Sequence, residues 1–152
     1  MAPPLVFVIG GTGAQGLPIV EALVKDGQYA VRVLTRDKTS PRSRKLATLS
    51  PNVSFLEGSF ASEETLRTGY AGADYAFVNV DGKSRVFWNP SPLTAIGFNT
   101  GEKTEIFWGL RSYELAIEQD IKFFIWGNLD FVLKKSGYDS KFRTGHYDGM
   151  VN

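Results

Sequence analysis

Leu5-Val-Phe-Val-Ile9 is a short unbroken apolar run, and Gly10-Gly11-Thr12-Gly13-Ala14-Gln15-Gly16 follows it directly. An apolar run of this length, bounded by Pro and Gly, reads as a strand buried on both faces. From Gln15 to Lys25, Leu17, Val20, Leu23 and Val24 recur at helical spacing. Pro18 falls in the first turn, where its missing N–H costs little. Strand, glycine turn and helix in immediate succession restrict the chain to an α/β fold, because a strand buried on both faces needs helices on each side.

The remainder fits that frame. Asp26-Gly27 stops the first helix. Tyr29 to Leu34 alternates apolar and polar and ends in Thr35-Arg36. A weak helix is expected near Ser43–Leu49 and a third strand over Val53–Glu57. Ser62 opens a further helix, with Glu63 and Glu64 placed to favour its dipole. Gly69 to Ala73 reads as a connection and Tyr75–Val78 as a fourth strand. Residues 83–97 carry two prolines and no sustained period, so an irregular loop is expected. From about Glu102, Ile106, Phe107, Leu110, Tyr113 and Ile117 share one broad helical face, with Leu115 outside it. Ile121–Trp126 is a fifth strand and Asn128–Lys135 a short helix, followed by a polar, Gly-rich tail from Ser136. The expected architecture is a doubly wound parallel Rossmann sheet of five strands in order 3-2-1-4-5.

Composition excludes several chemistries. The 152 residues carry a net charge of +1, which gives no global reason for a nucleic-acid or anionic-membrane partner. There is no cysteine, hence no disulfide, thiolate nucleophile or Cys-ligated metal, and the single histidine, His146, precludes a multi-His site. The N-terminal apolar run lacks the features of a signal peptide or membrane span. The expectation is a soluble protein of the cytoplasm, with the nucleus left open. The Asn52-Val53-Ser54 sequon then has no glycosylation context.

Gly10, Gly13 and Gly16 form G-x-x-G-x-x-G between a strand and a helix. Glycine permits the tight turn and lets the backbone approach a pyrophosphate, which the free N–H groups of the helix N-terminus receive. No Lys-Ser or Lys-Thr follows the last glycine, so this is not an ATPase P-loop. NAD-binding proteins usually place an acidic residue at the end of the second strand. Here Arg36 occupies it, which favours pairing with the 2′-phosphate of NADP. Lys38 is a second candidate, whereas neighbouring Asp37 opposes the assignment. No tyrosine is followed four residues later by lysine, so the Tyr-x-x-x-Lys pair of short-chain dehydrogenases is absent. Glu114 and Glu118, one turn apart, read as a solvent-facing edge, and His146 as a surface residue. No catalytic residue is assigned.

The glycine loop, Thr35-Arg36, Gly72-Ala73-Asp74-Tyr75-Ala76-Phe77-Val78-Asn79 and Gly145-His146-Tyr147-Asp148-Gly149 together resemble the NmrA-like family, atypical relatives of short-chain dehydrogenases abundant in fungi. The resemblance spans about residues 4–82 and 98–149. It implies an NADP-binding domain over 1–149, with an irregular insert at 83–97 and a tail at 150–152. It also implies cofactor contacts at Gly10, Gly11, Thr12, Gly13, Ala14, Gln15 and Gly16, at Arg36 and Lys38, at Ser59 and Phe60, and at Asn79 and Val80. Ser59-Phe60 lacks the carboxylate usual there, and Met150 stands where the family has a cofactor-contacting lysine. Family members are about twice as long, their extra half supplying a substrate lobe. The resemblance therefore implies an NADPH-dependent oxidoreductase, inactive if truncated, or a non-catalytic NADP(H)-sensing module that binds a protein partner. An open sheet edge would favour association. Both breaks follow Asp-Gly, at Gly82-Lys83-Ser84 and Gly149-Met150-Val151, each encodable with an intron-donor motif. Residues 83–97 and 150–152 thus read either as translated intron sequence or as natural variation.

Overall fold

The computed structural model describes residues 2–80, 101–127 and 132–142. Five parallel strands, β1 (Leu5–Ile9), β2 (Ala30–Thr35), β3 (Val53–Glu57), β4 (Tyr75–Val78) and β5 (Phe123–Trp126), lie in the order β3-β2-β1-β4-β5. The helices are α1 (Gly16–Asp26), α2 (Pro41–Ala47), α3 (Glu63–Tyr70), α4 (Gly101–Glu118) and α5 (Val132–Lys135), with a 3₁₀ turn at Ser140–Phe142. The expected fold class and strand order are therefore found. The proposed insert, the C-terminal tail, His146 and Met150 lie outside the described residues.

The alternation of side chains along β1 builds two cores. Phe7 and Ile9 join Leu34, Ala76 and Val78 under α3 and α4. Val6 and Val8 join Val31, Val33 and Phe77 under α1 and α2. β1 is buried from both sides, as an unbroken apolar run requires. Arg32 is the polar exception on β2. Its guanidinium caps the end of α3, donating to the carbonyls of Gly69 at 2.7 Å and Ala71 at 2.8 Å.

Three sequence expectations change. The second helix begins at Pro41, with Ser40 as its N-cap accepting from the Ser43 N–H at 3.2 Å, rather than at Ser43. Gly69 and Tyr70 complete α3 instead of forming a connection. The largest change is the orientation of α4. Leu115, Ala116 and Ser112 are buried, whereas Phe107, Leu110, Tyr113 and Ile117 are exposed. Small residues decide which face docks. A side chain at Gly109 would strike the indole of Trp126, and Ser112 leaves room for a 2.6 Å hydrogen bond with the buried Tyr70 hydroxyl. The bulky face could not approach the sheet so closely.

An ionic cluster joins α3 to α4 across this core. Arg111 contacts Glu63 at 2.9 Å and Glu114 at 2.8 Å, and Arg67 contacts Glu63 and Glu118, each at 2.8 Å. Hydrogen bonds from Arg111 and then Arg67 hold the Glu63 carboxyl down at about 2, against an ordinary 4.5. A depressed folded-state value means the stabilisation is present above the unfolded value and disappears on protonation. The stability margin of wild type over Glu63→Gln is therefore expected to be full near neutral pH, to shrink below about 4.5 and to vanish near 2, read by urea denaturation across pH. A margin that stays constant through that window would contradict the assignment.

Candidate functional site

β1 and β4 are neighbours, but β1 leads to β2 on one side and β4 leads to β5 on the other, so the connections leaving their carboxyl ends diverge. That divergence opens a crevice, the usual ligand position in doubly wound sheets. Gly10 sits there in the left-handed region, at φ 79°, and a Cβ would lie 2.5 Å from the Asn79 carbonyl oxygen. Asn79 is held opposite by donating its N–H to Ile9 at 3.1 Å. The Gly13 N–H closes the turn onto the Gly10 carbonyl at 2.8 Å, and the Leu17 N–H bonds Gly13 at 3.0 Å. A Cβ at Gly16 would collide with the Gly10 carbonyl and lie 2.6 Å from the Gly11 Cα. At Gly11 it would enter the packing of Val8, Val20 and Val33. The loop is thus a tight turn leading into α1, in which Gly10, Gly11 and Gly16 admit no side chain. No side chain caps α1, and its first turn holds no acidic residue. Its N-terminal N–H groups and dipole are available to an anion.

Gln15 and Asn79 both approach Gly127. A Cβ at Gly127 would lie 3.0 Å from Gln15 Oε1 and 3.4 Å from Asn79 Cβ. Gly127 donates its N–H to Val78 at 2.7 Å and completes the floor between β4 and β5. Sequence reasoning missed Gly127, although a glycine directly after a strand was a usable signal.

At the end of β2, Thr35 is buried and its hydroxyl lies 3.3 Å from that of Ser43, locking the strand end to α2. Arg36 follows, exposed, with no hydrogen bond or ion pair among the described residues. Asp37 does not oppose it directly. Its carboxylate accepts from the Thr39 hydroxyl at 2.6 Å and the Thr39 N–H at 2.7 Å, bonds that also hold it below the usual carboxylate range. Lys38 is drawn to Glu57 at 3.7 Å, an exposed and therefore weak pair. Arg42 ranks from the sequence below Arg36 and Lys38 as a phosphate contact, yet its Nη1 donates to the Thr12 carbonyl at 3.0 Å. The overlooked signal was Ser40-Pro41, a cap and first-turn pair that starts α2 early and aims Arg42 at the loop.

The other positions are less open. Ser59 Oγ accepts from the Ala61 N–H at 3.1 Å, and Phe60 packs on the first core cluster. Val80 is buried in that cluster, leaving its backbone for any ligand contact. Glu114 and Glu118 are occupied by the α3–α4 ion pairs. Among the described residues there is no cluster of potential metal ligands and no helix long and apolar enough to cross a membrane.

Known proteins resemble the chain in sequence or share its fold. The chain is 36% identical over 83 residues to the NmrA-like family domain-containing oxidoreductase lnaB of Aspergillus flavus, an alignment covering 55% of the chain and 24% of lnaB. It is 30% identical over 119 residues to ptmS, an oxidoreductase of the same description from Penicillium ochrochloron, covering 78% of the chain and 32% of ptmS. The chain thus spans about a quarter to a third of these relatives. The crystal structure of Nmra, a negative transcriptional regulator, in complex with NADP superposes with a TM-score of 0.65 at 14% identity, covering 98% of the chain and 41% of Nmra. Nmra has also been solved with NAD. The sequence model of the NmrA-like family matches residues 4–143, and the chain belongs to that family.

Proposed function

We propose that this chain is the NADP(H)-binding portion of an NmrA-like oxidoreductase. The observation that carries the reading is the tight turn of Gly10–Gly16 against Asn79, in which Gly10, Gly11 and Gly16 admit no side chain, leading into the uncapped N-terminus of α1. The pyrophosphate would lie on the N–H groups of residues 11, 12 and 14–16, that of Gly13 being used within the turn, and be held by the helix dipole. Arg36 would pair with the 2′-phosphate, since its guanidinium is uncommitted and Asp37 is turned onto Thr39. Arg42 braces the loop through Thr12, and Lys38 plays a lesser part because Glu57 competes for it. Gln15 and Asn79 would border the nicotinamide ribose, with Ser59, Phe60 and the Val80 backbone at the flanks. Bound NADPH supplies a hydride, and the chain's own residues bind and orient it. Turnover by the described residues alone is expected to be low, because none of them is assigned as a proton donor.

The second reading is a non-catalytic sensor of NADP(H) that binds a protein partner. The absence of a Tyr-x-x-x-Lys pair favours it, as does the likeness to Nmra. NADPH consumption with small carbonyl compounds supports the enzyme. Cofactor-dependent partner capture without consumption supports the sensor.

Calorimetric titration tests the shared premise. Wild type is expected to prefer NADPH to NADH. Arg36→Glu is expected to weaken NADPH binding about 10- to 100-fold, the scale of one charge-assisted contact, with little effect on NADH. Equal affinity of wild type for both cofactors would refute the role of Arg36, and no binding of either would refute the site.

A further inference from the structure

The peptide joining Thr12 to Gly13 is held from both sides. Its N–H, on Gly13, donates to the Gly10 carbonyl at 2.8 Å, and its carbonyl, on Thr12, accepts from Arg42 Nη1 at 3.0 Å. A trans peptide points these two groups in opposite directions, so the two bonds together fix the plane between them. Without them that plane would turn easily, because Gly13 offers little steric resistance to rotation about its own bonds. The helix from which Arg42 reaches is firmly seated. Ser43 and Leu46 of α2 are fully buried, Ser43 Oγ donates to the Asp37 carbonyl at 2.8 Å, and Lys45 pairs with Glu21 of α1 at 3.0 Å. All of these residues lie in the continuous segment 2–80.

We propose that Arg42 is a positioning residue for the diphosphate of the dinucleotide, acting through the Thr12–Gly13 peptide and not on the 2′-phosphate. The inference rests on the reading of the glycine loop as the diphosphate site. Rotation of that peptide would swing the Thr12 carbonyl and break the Gly13-to-Gly10 bond, and with it the turn that presents the N–H groups of residues 11, 12 and 14–16. Those donors hold a diphosphate well only if they are oriented before it arrives. The acceptor that Arg42 uses assigns the role. A guanidinium bonded to a main-chain oxygen of the loop orients the loop. Arg36, with no hydrogen bond or ion pair among the described residues, is left to pair with a ligand phosphate. The two arginines therefore divide the task. Arg36 would discriminate NADPH from NADH. Arg42 would raise the affinity for both by the same factor, since the two cofactors carry the same diphosphate.

Titration of the full 152-residue chain with NADPH and with NADH is the test, for wild type, Arg42→Gln and Arg44→Gln. Arg44 is the matched control, exposed on the same helix and carrying the same charge. Arg42→Gln is expected to weaken both cofactors roughly tenfold, the low end for a hydrogen bond from a charged donor, because the pair is exposed. It should keep the wild-type ratio of NADPH to NADH affinity and barely move the urea midpoint. Arg44→Gln should bind both cofactors as wild type does. Without ligand, amide exchange at Gly13 should be faster in Arg42→Gln and unchanged in Arg44→Gln, since only the first frees the peptide to turn. A loss confined to NADPH would make Arg42 a ligand of the 2′-phosphate and overturn the proposal. So would equal losses in the two variants, or wild-type affinity or unchanged Gly13 exchange in Arg42→Gln. Each of those results leaves the glycine loop as the cofactor site. Failure of wild type to bind either cofactor would instead remove the site, and the proposal with it.

Discussion

Gly16→Ala is expected to lower stability by about 3 kcal/mol and to weaken NADPH binding by more than tenfold. The added methyl meets the Gly10 carbonyl and lies 2.6 Å from the Gly11 Cα. Both obstacles are backbone, so no side chain can rotate to relieve the clash. The strain must go into the turn held by the Gly13-to-Gly10 hydrogen bond of 2.8 Å. Opening that turn disperses the N–H groups proposed to receive the pyrophosphate, so affinity is expected to fall with stability. Gly27→Ala is the matched control. Gly27, unlike Gly16, has a positive φ, of 76°, and a Cβ there meets nothing within 4 Å. It should cost only about 1–2 kcal/mol of left-handed strain and leave affinity intact. Urea denaturation and titration of both variants give the comparison. Gly16→Ala that binds NADPH as wild type does would remove the cradle from the account.

Phe7→Ala is expected to cost about 3–5 kcal/mol, a large share of the stability of a domain this size. Phe7 is fully buried on the central strand, edge-to-face with Tyr70 at 5.0 Å. Truncation deletes the ring around which α3 is seated and leaves a cavity. The same geometry predicts non-additivity. A Cβ at Gly69 would overlap the Phe7 ring, lying 2.5 Å from its Cε1, so Gly69→Ala alone should be strongly destabilising. In the Phe7→Ala background that methyl enters vacated space. The double variant should therefore be more stable than the sum of the single losses implies, by about 1–3 kcal/mol. Strict additivity in denaturation would show that the two residues are not coupled.

The contrast between α1 and α4 shows what periodicity can reveal. Around α1 the apolar residues form one stripe, so the buried face follows from the pattern. α4 carries apolar residues on two faces. The broader one, with Phe107, Leu110, Tyr113 and Ile117, is the exposed one. Spacing identifies residues that share a face, but not which of two apolar faces fits a given surface. The indole of Trp126 and the hydroxyl of Tyr70 decide that, by demanding Gly109 and Ser112 opposite them. The indole N–H is itself buried without a partner among the described residues.

The candidate site divides in the same way. The sequence by itself determined the strand, glycine turn and helix and the cationic end of β2, because each is encoded in contiguous residues whose backbone preferences are local, and the strand order followed from these through the few topologies open to alternating strands and helices. Only the tertiary structure decided that Asp37 turns onto Thr39, that Glu57 claims Lys38, that Arg42 reaches Thr12 and that Gly127 completes the floor beside Gln15 and Asn79. The longer-range pairings depend on distances between separately folded elements, and even the Asp37 turn is one of several conformations its sequence permits. Hydrogen bonds and ion pairs are short-ranged and directional, so which of them form is settled only when packing has fixed where the chain's segments meet.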